Sequence, residues 1–165
     1  MTARLEIKIN TLPLERALAG VDQDMTDLTP LMDAVAADME LATMERFEDG
    51  KDPDGKTWKP SIRALWDGGQ TLRDTGGLQD SITTHVTATT AEVGTNKIYA
   101  GTHQFGATIR GKSGGNLKFK IGKRWVTVPE VTIPARPFLG FGQRDEAQVV
   151  ATVTDWLERR GHENH

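Results

Sequence analysis

At 165 residues the chain has the length of one domain, enough to bury about two-thirds of the surface its unfolded form would expose. With 37% apolar, 26% charged and 6% aromatic residues it reads as a soluble globular protein, and with no cysteine it lacks disulfides, thiolate nucleophiles and thiolate metal sites, which suits a reducing cytoplasm. The formal charge of -3 argues against bulk attraction to nucleic acid, yet residues 1–95 hold 9 Lys or Arg against 17 Asp or Glu, while residues 96–144 hold 9 against Glu130 alone. Either the two signs balance inside one folded subunit, or they form complementary faces that meet head to tail between subunits.

In chain order, Leu5, Ile7 and Ile9 alternate with Arg4, Glu6, Lys8 and Asn10, the two-residue period of a strand buried on one face. Pro13 opens a segment to Ala19 with room for one or two helical turns, and Asp22 to Asp27 reads as a loop. Thr29-Pro30 predicts a helix start, with the Thr29 hydroxyl capping free amides, and the helix runs from about Pro30 to Phe47. At 100° per residue Met32, Val35, Ala36, Met39 and Phe47 form one apolar stripe, and Ala34, Ala37, Leu41 and Met44 form a second almost opposite. The sheet covers one stripe. The other falls to the C-terminal helix or to a neighbouring subunit, which makes Leu41 and Met44 candidate interface residues.

Glu48 to Pro60 is turn-rich and ends the helix, and Trp58 is expected to fold back onto the core and pin this loop. Leu78, Ile82, Val86 and Val93, among threonines and between Gly76-Gly77 and Gly94, predict paired strands. Lys97 to Gly106 has room for a helical turn. Leu117 to Val128 reads as a hairpin turning at Gly122-Lys123, the tip of a basic arm over 107–128. Val149, Val150, Val153, Trp156 and Leu157 line one side of a final helix that Arg159, Arg160 and Gly161 should end, leaving 161–165 as a flexible tail. No stretch of the sequence approaches a membrane span, and no secretory leader is visible. The fold class expected is α+β: a small antiparallel or mixed sheet packed with a long helix in the first half and a C-terminal helix, carrying an extended basic β-hairpin arm.

Gly106-Ala107-Thr108-Ile109-Arg110-Gly111-Lys112-Ser113 matches the P-loop pattern letter for letter. A phosphate cradle needs a helix to begin at its end, and Gly114-Gly115-Asn116 followed by an alternating strand supplies none. Asp52, Asp54 and Gly55 align to a calcium loop only with Gly50 where the first carboxylate belongs and without the bidentate glutamate. His85, His103, His162 and His165 have no helical partner at metal-binding spacing, and His85 has no obvious carboxylate beside it. Catalytic residues, cofactors and metals are therefore expected to be none. Lys112, Lys118, Lys120, Lys123 and Arg124 interleave with Phe119 and Trp125, which fits a subunit contact, a solvated arm or a non-specific contact with DNA.

Several blocks in order resemble the phage virion morphogenesis family, the tail-completion proteins of P2-like and Mu-like phages. They are Asp52-Pro53-Asp54-Gly55 with Trp58; Leu72-Arg73-Asp74-Thr75-Gly76-Gly77-Leu78 with Ser81-Ile82; Val93-Gly94-Thr95 before Tyr99-Ala100; His103-Gln104-Phe105-Gly106; and Ile133-Pro134-Ala135-Arg136-Pro137-Phe138-Leu139-Gly140. The resemblance runs from about Met32 to Leu157. It implies an α+β subunit that completes the tail at the neck of the particle, as a ring with a hexamer expected. The implied partners are itself, tail tube and head-connector proteins, with non-specific proximity to phage DNA and no membrane. The implied location is the virion, after assembly in the bacterial cytoplasm.

Beside the resemblance stands a physical reading of the last block. Ala135 and Arg136 lie between prolines and must be extended, so Arg136 is held in a defined place to pair with a carboxylate, in its own chain or across a subunit boundary. Phe138 and Leu139 should anchor the segment in apolar surroundings. The candidate interface residues are Leu41, Met44, Arg136, Phe138, Lys118, Lys120, Lys123, Arg124 and Trp125. A structural role is expected, against two alternatives: a DNA-contacting or capsid-morphogenesis factor using the basic arm, and a nucleotide-binding enzyme using the P-loop match.

Overall fold

The fold is organised around one long helix, α1, spanning Thr29–Asp49 in a computed structural model that describes residues 5–10 and 27–163, the first of these and 161–163 by backbone alone. Leu28, Leu31, Met32, Val35, Ala36, Met39 and Phe47 are buried, at the three- and four-residue spacing that puts them on one face. Thr43 shares this face, and its hydroxyl donates to the Met39 carbonyl at 2.8 Å. The expected Thr29 cap is corrected: the Leu28 carbonyl already receives the Met32 amide, so Thr29 lies within the helix, and Asp27 Oδ1 accepts its amide at 2.9 Å. At the other end Gly50 adopts the left-handed conformation and donates to the Arg46 carbonyl, closing α1.

The chain then folds back tightly. The Asp52 carboxylate accepts the amides of Asp54 and Lys56, Gly55 turns at φ 81°, and Trp58 donates its amide to the Gly50 carbonyl at 2.8 Å. This returns Trp58, 5% exposed, to the core, where its ring meets Phe47 edge-on at 5.9 Å. A short helix, α2 (Ile62–Asp67), begins with the Ser61 hydroxyl accepting the Ala64 amide.

Three antiparallel strands form the main sheet: β1 (Leu5–Asn10), β2 (Ile82–Thr87) and β3 (Thr90–Thr95), with β3 in the middle. Its register pairs Leu5 and Ile82 with Thr95, and Asn10 and Thr87 with Thr90. The central strand is buried from Ala91 to Thr95: pairing covers both its edges, and Ala91 and Val93 join the apolar core. Glu92 is the register partner of His85, which corrects the expectation that no carboxylate stands near that histidine. The segments read as short helix (13–19) and loop (22–27) lie outside the described residues, apart from Asp27.

α3 (Ala100–Phe105) leads into a second β unit that differs from the single hairpin expected over 107–128. β4 (Ala107–Arg110) pairs with β7 (Glu130–Ile133), forming a stem, and β5 (Leu117–Ile121) pairs with β6 (Arg124–Val128), forming a tip that turns at Gly122-Lys123. The ribbon thus extends to Ile133, because the stem needs a partner beyond Pro129. Its tip lies against α2: a Cβ on Gly122 would fall 2.4 Å from Asp67 Oδ1.

α4 (Gln143–Glu163) packs along α1, with the Thr152 hydroxyl donating to Asp38 and Arg144 pairing with Glu45. It passes through Gly161 rather than stopping there, since one glycine weakens a helix by about 1 kcal/mol relative to alanine without ending it. Residues 164–165 lie outside the described residues. Val149, Val153 and Trp156 pack on the core, whereas Val150 is exposed. Among the described residues no helix is long and apolar enough to cross a membrane.

Candidate assembly interface

The segment from Pro134 to Gly142 is an extended strap with little regular structure, so its backbone polar groups need partners from elsewhere. Gln104 of α3 supplies three: its side-chain amide donates to the Leu139 carbonyl at 2.6 Å and accepts the amides of Phe138 and Leu139 at 3.0 and 3.1 Å. The Arg46 guanidinium of α1 donates to the carbonyls of Phe138 and Gly140, and Trp58 Nε1 donates to the Pro137 carbonyl at 2.9 Å. Asp145 of α4 accepts both from Arg46 and from the Gly142 amide. One buried network therefore ties both long helices to the strap.

Steric fit completes it. A Cβ on Gly106 would lie 2.8 Å from the Ala135 nitrogen, one on Gly140 2.3 Å from Pro53 Cγ, and one on Gly142 2.1 Å from the Pro53 carbonyl oxygen. The sequence blocks Asp-Pro-Asp-Gly, Trp58, His-Gln-Phe-Gly and Ile-Pro-Ala-Arg-Pro-Phe-Leu-Gly thus converge on one place, where they position backbone. Phe138 is completely buried, 5.3 Å from the Phe47 ring, and with Leu139 anchors the strap as expected.

The candidate interface residues separate by exposure. Phe138 and Arg136 are inside the fold; the Arg136 guanidinium donates to the carbonyls of Lys59 (2.7 Å) and Pro60 (3.4 Å), and among the described residues no carboxylate is paired to it. Met44 is half-buried against the core, and Leu41 is 59% exposed beside the groove between α1 and α4, so α4 leaves part of the second stripe open. Lys118, Lys120, Lys123 and Arg124 stand exposed on the ribbon tip, and among the described residues none is paired with a carboxylate. Trp125 is 66% exposed with Lys118 over its ring at 5.3 Å.

Beside this tip lies a surface that the sequence reading passed over. Ile62, Leu65 and Trp66 of α2 are all more than half exposed, and so are Ile98 and Phe105. The spacing of Ile62, Leu65 and Trp66, three and four residues apart behind a serine cap, is the signal that marks them. Exposed apolar side chains gathered in one patch, aromatic ones above all, characterise contact surfaces.

The motifs that suggest chemistry take other roles. The P-loop match forms β4, paired to β7, followed by a single 3-10 turn at Lys112–Gly114, with no helix at its end. The Asp52 carboxylate is occupied by its own turn. Burial, and then the nearby Arg136, hold His103 below the ordinary imidazole range.

The model of the phage virion morphogenesis family matches residues 9–158, starting earlier than the blocks quoted above. Among curated proteins the chain is similar to the Mu-like prophage FluMu G protein 2 of Haemophilus influenzae, 37% identical over 155 residues that make up 93% of this chain and 96% of the relative. No solved structure matches the chain. A converging set of sequence blocks that holds backbone, a family match across most of the length and this relative lead to one conclusion: the chain belongs to the phage virion morphogenesis family.

Proposed function

We propose that this morphogenesis protein is a tail-completion subunit at the neck of the particle, that it acts by closing a ring of identical copies, a hexamer, between tail tube and head connector, and that it catalyses no reaction. The observation that carries the reading is the mismatch between two surfaces of one chain. The ribbon tip and α2 offer Lys118, Lys120, Lys123, Arg124, Leu65, Trp66 and Trp125, all exposed, the four cations without ion pairs among the described residues. α1 carries six acids, of which Asp38, Glu45 and Asp49 meet Thr152, Arg144 and Lys51 while Asp33, Glu40 and Glu48 are in no ion pair among the described residues, and its one basic residue, Arg46, is buried and paired. Unlike surfaces on one subunit make a heterologous contact, which generates a ring when the rotation closes. Leu41 and Met44 lie on that same helix. Arg136 and Phe138 contribute by holding the strap that keeps both surfaces in shape.

The test is particle morphology. Phage lacking the chain should accumulate separate heads and tails, and imaging of complete particles should find it as a ring at the neck. Joined particles without the chain would sink the reading. A second reading, contact with DNA through the tip, is favoured by the four unpaired cations and exposed Trp125; neutralising the four should then flatten the salt dependence of DNA binding.

A further inference from the structure

Arg136 is 5% exposed, yet the described residues neutralise it with carbonyl dipoles alone. Among the described residues its Nε and Nη2 have partners, while Nη1 has none and is not fully enclosed, and no carboxylate lies within ion-pair distance. Next to it the His103 Nδ1 atom is enclosed and also without a partner. Native interiors rarely leave an enclosed atom such as His103 Nδ1 unmet, and a cation as deeply set as Arg136 is rarely left without an anion. Both residues line one cleft of ≈ 320 Å³ between the start of α2 and the turn at Thr75–Leu78. The other charged residues lining it are Arg63 and Asp74, which pair with each other at 3.5 Å, so the charge left over is that of Arg136.

We propose that this cleft is a socket for a carboxylate side chain from the acidic α1 surface of a second copy of the chain, received by Arg136 Nη1 beside the His103 ring. The proposal rests on the ring reading and says where that contact is fixed. Charge complementarity supplies the occupant: Asp33 and Glu48 of α1 are exposed and form no ion pair among the described residues. Position supports it as well, since α2 runs from the cleft at Ser61 to the ribbon tip, where Asp67 meets Gly122. The socket and the basic tip therefore belong to one continuous surface.

Thr75 is exposed at the cleft, so Thr75→Trp fills it from outside the core, and Arg136→Lys keeps the charge while removing the fork. Assembly of the full chain is followed by sedimentation, with thermal unfolding as the check on folding and sodium acetate compared with sodium chloride at equal ionic strength. Thr75→Trp should weaken assembly about tenfold or more with unchanged unfolding. Acetate should weaken wild-type assembly more than chloride does and should shift the His103 ring signals. A folded Thr75→Trp chain that assembles like wild type overturns the proposal. If acetate still shifts His103 in that case, the cleft takes free carboxylates only. A wild-type chain that never assembles defeats the ring reading and the socket together, which separates that failure from the socket's own.

Discussion

Removing Asp145 tests how the fold is held. Its carboxylate meets the Arg46 guanidinium and the Gly142 amide in a place where the two side chains are 9% and 8% exposed. Burial pushes the Arg46 guanidinium down from its ordinary pKa, and the attraction of Asp145 only partly reverses this. Desolvation is thus the larger effect, and the pair matters mainly because losing one partner strands the other. Asp145→Ala leaves a buried cation with two carbonyls and frees a buried amide, a loss of about 3–5 kcal/mol. At about 2–4 °C per kcal/mol for a chain of this size, the melting temperature should fall by roughly 6–20 °C. Calorimetry or circular dichroism on the purified chain measures it. Replacing both partners with apolar residues, Arg46→Met with Asp145→Leu, should recover part of the loss, because no charge is stranded although the Phe138 and Gly140 carbonyls and the Gly142 amide stay unpaired. A single variant within about 1 kcal/mol of wild type would refute this reasoning, and so would a double variant no better than the single one.

Gln104→Ala should cost at least about 2 kcal/mol in urea unfolding, since the buried amides of Phe138 and Leu139 lose their acceptor. Gly106→Ala should also destabilise, by about 1–3 kcal/mol, because φ of +74° and a Cβ 2.8 Å from the Ala135 nitrogen both oppose it; an unchanged midpoint would contradict the packing described. Stability should fall as pH drops through about 6.5, the ordinary imidazole value: His103 is held below it in the folded chain, so the unfolded chain binds the extra proton. His103→Asn should flatten that slope, and parallel profiles for the two proteins would show that His103 is not its source.

What the sequence reveals of this fold is what has a short period or a local rule. The alternation at Leu5, Ile7 and Ile9, the stripe from Met32 to Phe47 and the turn at Gly122-Lys123 each appear as strand, helix and hairpin where expected. Trp58 folds back as expected because the Asp52 turn reverses the chain, and its amide and indole then find the Gly50 and Pro137 carbonyls. The Gln104 clamp was invisible because its partners lie 34 and 35 residues away and are backbone groups, which any residue type supplies. Arg46 reads as a surface cation until Asp145, 99 residues later, is known to face it. The stem pairing of β4 with β7 escaped notice because a nested ribbon looks, in sequence, like one hairpin and a stray strand. Of the candidate surface, the cations and Trp125 were legible as an interleaved run, while α2 was hidden between two loops.

The most direct test of assembly is the native mass of the full chain over a range of concentrations at low salt. The account predicts a closed species at a multiple of 18.1 kDa that loses subunits as salt rises and that Trp66→Asp with Trp125→Asp reduces to single chains. A species of 18.1 kDa at every concentration and salt, in a chain that still completes particles, would contradict it.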